Sequence, residues 1–119
     1  MASLPARRKP PKSGIARAPE RSFPTHRQWV RGHACLVEGC KDRQIEAAHF
    51  DGPVPFEDMG GKGLKRHDRW CLPACATHHR EIHSLGWQSF ERKYGINMKA
   101  IAEGLARISP HRWRWEEGR

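Results

Sequence analysis

Two clusters of soft metal ligands dominate this chain. Cys35 and Cys40 form a Cys-x4-Cys pair around Gly39, and Cys75 and His78 form a Cys-x2-His pair that runs on to His79 and His83. Thiolates and imidazoles are the ligands zinc prefers, and four of them close a tetrahedral structural site. About 34 residues separate the clusters, so the ligands must converge through the fold. A knuckle, a hairpin and the start of a helix would bring them together. The chain also needs such a staple. At 119 residues, with 37% hydrophobic and 29% charged residues, it has material for one small domain with a thin core. The set Cys35, Cys40, Cys75 and His78 therefore predicts a structural Zn2+ site. Cys71 lies four residues before Cys75 on a presumed strand and reads as a buried thiol.

The pattern around these clusters gives a coarse outline. Residues 1–22, with Pro5, Pro10, Pro11 and Pro19, read as a disordered basic arm. Phe23 to Val30 predicts a short helix or turn, Gln44 to Phe50 a strand, and Asp51 to His67 a glycine- and proline-rich loop. Arg69 to Pro73 predicts the returning strand. Cys75 to Leu85 predicts a helix stopped by Gly86, and Trp87 to Tyr94 a second one stopped by Gly95. Asn97 can cap a third, Met98 to Ile108, with Met98, Ile101, Leu105 and Ile108 on its buried stripe. Residues 23–109 thus form the domain, and residues 110–119 a polar, aromatic tail.

Charge narrows the partner. The formal net charge is +9, and residues 1–33 hold eight Lys and Arg against Glu20 alone. A basic arm on a nearly balanced core points to nucleic acid; a solubilising tail is the alternative. No apolar run is long enough to span a bilayer, and no apolar segment follows the first basic residues, so no membrane partner and a cytoplasmic location are expected. In reducing surroundings the cysteines are metal ligands rather than disulfides.

His79 and His83 are four residues apart, which places both on one helix face as a chelate for a divalent ion. His78 points about 100° away, so one helix can serve two metals. Other metal and nucleotide motifs fail: Arg80 rather than Glu follows His79, which disfavours a zinc protease, and Gly63 stands where a phosphate-binding loop needs Ser or Thr.

The run Cys-x4-Cys, EAAHF, GGKGLKRHD and RWCLPAC-x2-HHREIH resembles an HNH (His-Me finger) endonuclease, and is especially similar to the small phage and bacterial HNH proteins of the DUF968 and Ref-like group. The resemblance covers roughly residues 25–108. It implies an α+β fold: a small zinc-stapled, treble-clef-like ββα-metal core with C-terminal helices. It also implies metal-dependent hydrolysis of phosphodiester bonds, most simply of DNA, in a bacterial or phage-infected cell. By the resemblance His49 is the general base, and His79 and His83 hold a catalytic divalent ion (Mg2+, Mn2+, Ni2+ or Zn2+). The family's central Asn has no counterpart near Trp70; Asp68 is its catalytic candidate here, with His67 and Asp51 as alternatives. Lys62, Lys65, Arg66 and Arg69 are expected to bring in phosphates. A non-enzymatic zinc module that binds nucleic acid, or one that binds protein, stays open on the residues alone.

Overall fold

The computed structural model describes residues 20–60 and 65–116. It is a small α+β fold built on one antiparallel hairpin. Helix α1 (Pro24–Arg31) starts with proline in its first turn, where no backbone donor is needed. Strands β1 (Ile45–His49) and β2 (Cys71–Cys75) pair with Ile45 opposite Cys75 and His49 opposite Cys71. Helix α2 (Ala76–Leu85) follows β2 directly, then α3 (Trp87–Tyr94), α4 (Met98–Ile108) and a single turn, α5 (Trp113–Glu116). Among these elements no helix is long and apolar enough to cross a membrane.

All five residues of β2 are buried, because α1, α2 and α4 all pack on it. Its Leu72 and Ala74 join Phe50, Trp70, Ile82, Phe90 and Met98 in the main core. Burial this continuous explains why CLPAC shows no alternation. The returning strand starts at Cys71, two residues later than the expected Arg69. Asp68–Trp70 instead coil into a 3-10 turn, because His67 accepts the Arg69 N–H and the Asp68 N–H donates to the Arg21 carbonyl. Residue 21, expected in the free arm, is therefore tied to the core; residues 1–19 of that arm lie outside the described residues.

Two other expectations are corrected. The buried stripe of α4 is Met98, Ala102 and Ala106, while Ile101 and Leu105 are half-buried and Ile108 is 66% exposed. The small Ala102 and Ala106, in line with Met98, let α4 lie close to the Asp68–Trp70 turn, and that contact outweighs the larger aliphatic face. The C-terminal segment does not hang free either. Trp115 is buried against Phe23 and Ala106, with its ring 5.4 Å from Phe23 and 4.9 Å from His26. His26 Nδ1 in turn meets Ser109 Oγ at 2.9 Å. A second, smaller cluster thus clamps α1 to α4 and α5.

Candidate functional site

The hairpin and the N-terminus of α2 bring Cys35, Cys40, Cys75 and His78 together, with their donor atoms all within 4.8 Å of one another. Cys40 Sγ and Cys75 Sγ are 3.9 Å apart, and His78 Nδ1 is 3.2 Å from Cys75 Sγ and 3.4 Å from Cys35 Sγ. Sulfur and nitrogen ligands of one tetrahedral ion keep about 3.5–3.8 Å between them, so the four fit a metal ion. Their placement follows from local structure. Cys75 is the last residue of β2 and caps α2, its sulfur accepting the His78 N–H. The Leu36 N–H donates to the Pro73 carbonyl, which ties the knuckle to β2. Tyr94 holds the His78 ring edge-on, with centroids 5.4 Å apart.

The other face of α2 opens on a cleft of about 550 Å³. His49 and Ala47 of β1 form one wall, His79 and His83 of α2 another. The two imidazoles of α2 lie 5.0 Å apart at their centres, near enough for one ion to reach both. His79 Nδ1 donates to Glu46 Oε1 at 2.7 Å, which leaves the Nε2 lone pair to face an ion. Histidines that bind metals almost always give their other ring nitrogen to such a partner.

Beneath His49 sits Asp68, 1% exposed. Its Oδ1 is 2.8 Å from His49 Nε2, while Oδ2 accepts the Phe23 N–H at 2.6 Å and pairs with Arg27. Burial pushes this carboxyl up, but the hydrogen bonds from His49 and Phe23 and the Arg27 charge outweigh it, so it is held below the usual carboxylate range. An ionised Asp68 can only accept, so His49 Nε2 donates this hydrogen bond, and in the neutral form of the ring the lone pair is on Nδ1. Cys71 is fully buried below, its Sγ 3.9 Å from Asp68 Oδ1, and burial pushes its thiol well up. With His49 and Asp68 it forms a second group of close donors, but the carboxylate there is already occupied by three N–H donors.

A model of a family described as a protein of unknown function, DUF968, matches residues 5–108. The chain belongs to the DUF968 family. That match begins twenty residues ahead of the expected start at 25 and takes in most of the basic leader. The DUF968 chain is also similar to the uncharacterized protein YdfU of Escherichia coli (strain K12), 34% identical over 74 residues. Those residues are 62% of this chain and 19% of that protein, so the chain spans about a fifth of its relative. No solved structure matches.

The remaining expected residues divide. Lys65 and Arg66 line the cleft. Arg66 donates to the Gly52 and Asp51 carbonyls at 2.6 and 3.1 Å. Gly52 is required there, since a Cβ would meet the Phe50 ring at 2.2 Å. Arg69 is not among the cleft residues; its guanidinium lies over the Trp70 ring, because the 3-10 turn points it there. Lys62 lies outside the described residues. His67 is buried and stacks on Phe23 at 5.0 Å, and Asp51 lines the cleft. Two cleft cations, Arg27 and Arg31, were expected only as part of the basic leader, and Glu46, which reaches His79 without lining the cleft, was not expected at the site. The two arginines are four apart on α1, a spacing that puts both on one face. Glu46 gave no local signal, since its partner is 33 residues away.

Proposed function

We propose that this protein is a metal-dependent endonuclease of the HNH type, acting on DNA in the cytoplasm of a bacterial or phage-infected cell. The observation that carries the reading is the single cleft in which His49, His79 and His83 meet Arg27, Arg31, Lys65 and Arg66. Three histidines and four cations suit a phosphodiester and its hydrolysis. On this reading β1, β2 and α2 are the ββα-metal core. Cys35, Cys40, Cys75 and His78 hold a structural Zn2+, the ion that three thiolates and one imidazole prefer.

Asp68 keeps the proton on His49 Nε2, so His49 Nδ1 takes a proton from the attacking water. Glu46 orients His79 so that its Nε2, with His83, is the donor to a divalent ion. When bound, such an ion supplies Lewis-acid polarisation of the phosphoryl group and neutralises charge at the leaving 3′ oxygen. Arg27 and Arg31 on α1, with Lys65 and Arg66, hold the flanking phosphates.

Incubation of supercoiled plasmid with the protein and Mg2+ or Mn2+, with and without EDTA, tests this directly. Conversion to open-circle or linear DNA that EDTA stops is the expected result. Binding without cleavage under every divalent ion would instead make the protein a zinc-stapled nucleic-acid-binding module.

A further inference from the structure

A second concavity, about 510 Å³, lies beside the cleft, shares Arg31 with it and is backed by Cys40 of the knuckle. Its walls are Arg31 and His33 at the end of α1, Lys41, Asp42 and Arg43 after the Cys40 knuckle, and Ile45 of β1. Arg31, Lys41, Asp42 and Arg43 are all exposed, three cations against one carboxylate. Two features join it to the cleft. Arg31 lines both. Ile45, Ala47 and His49 alternate along β1, so all three share one face of the strand, Ile45 in this groove and the other two in the cleft.

We infer that this groove is a phosphate-binding subsite that holds the DNA backbone beyond the scissile bond; the inference rests on the nuclease reading for its substrate. The spacing sets the footprint. Four residues of strand separate Ile45 from His49, about 13 Å at about 3.3 Å per residue. Neighbouring phosphates of one strand lie farther apart than their axial rise of about 3.4 Å, so the groove meets the backbone a few nucleotides at most from the bond being cut. Arg31 stands between as a shared contact. The cations there position the duplex through its phosphates, contacts that carry no base readout.

The test uses the full chain carrying His49→Ala, so that DNA survives, and a 24-base-pair duplex followed by fluorescence anisotropy from 50 to 200 mM salt. Each phosphate contact contributes about 0.9 to the slope of log Kd against log salt. Lys41→Ala with Arg43→Ala should lower that slope by about 1.8. Asp42→Asn should tighten binding, since it removes the one negative charge while its Oδ1 can still accept the Gln44 N–H. All three residues are exposed, and an unchanged metal content and melting temperature verifies the fold. An unchanged slope in the double variant, with Asp42→Asn binding like the parent, overturns the subsite. The nuclease reading fails separately: a chain without His49→Ala that never cleaves, yet shows the slope change, loses its proposed activity and keeps this groove.

Discussion

Replacing Asp68 with Asn keeps the side chain's size and removes its charge. The carboxylate accepts N–H groups on both oxygens: His49 Nε2 on one, the Phe23 backbone and Arg27 on the other. An amide offers one acceptor and one NH2. Whichever way it turns, its NH2 faces a donor, in a site 1% exposed. An unmade hydrogen bond at such a site costs about 1–3 kcal/mol. Loss of the ion pair with Arg27, whose side chain is 31% exposed, adds up to about 1 kcal/mol. The sum, about 1–4 kcal/mol, lowers Tm by about 5–20 °C for a domain of this size. Cleavage should fall as well. If the amide oxygen stays on His49, the imidazole is held less firmly; if the NH2 turns to it, the proton must move to Nδ1 and the base is lost, at about 10²–10⁴-fold in rate. Acid distinguishes the two states further. The fold holds Asp68 below the usual carboxylate range, so its contribution is complete above that range and disappears as pH falls through the folded value. The stability gap between parent and Asp68→Asn should therefore be full at pH 7 and narrow on acidification. Thermal melts of the metal-loaded proteins across pH, with single-turnover cleavage at pH 7, measure both. An Asp68→Asn protein that melts within about 2 °C of the parent and cleaves at its rate would refute the role of this carboxylate.

Other outcomes follow from the same geometry. On the zinc reading proposed above, Cys75→Ser should lose tightly bound zinc, by elemental analysis, and the cooperative melt with it, because the residue would be a ligand and also caps α2; a zinc-free variant with parental Tm would show the four donors to be mere packing. His79→Ala should abolish divalent-dependent cleavage and retain zinc, whereas His78→Ala should lose zinc and fold; the reverse pattern would exchange the roles of the two neighbours. Burial lowers His26 to about 4 against the nearby pull of Asp68. Between about pH 6.5 and 4 the unfolded chain therefore takes up a proton that the folded one refuses, and stability should fall with pH by up to about 3 kcal/mol. Urea titrations of His26→Phe should lack most of that slope; a variant as acid-sensitive as the parent would contradict it.

What the sequence disclosed was local. Spacing alone joined Cys35, Cys40, Cys75 and His78, and the glycines after Leu85 and Tyr94 marked the ends of α2 and α3 where they occur. The four-residue step from His79 to His83 put both rings in one cleft, away from His78. The misses are non-local. The burial of Ala102 and Ala106 rather than Ile108 depends on how closely α4 approaches the turn before β2. Trp115 is buried because Phe23, ninety-two residues earlier, supplies its partner. Arg27 and Arg31 enter the cleft only because α1 packs on the hairpin. Arg69 leaves it because a 3-10 turn occupies residues where a strand was expected.

The most direct test of the central claim is single-turnover cleavage of supercoiled plasmid by the parent and His49→Ala, with equal zinc content, equal Tm and equal DNA affinity established first. The account predicts that the parent cuts with Mg2+ or Mn2+ and stops with EDTA, and that His49→Ala cuts about 10²–10⁴-fold more slowly. A folded His49→Ala protein that cleaves at the parental rate, or a parent whose cleavage is undiminished by EDTA, would contradict it.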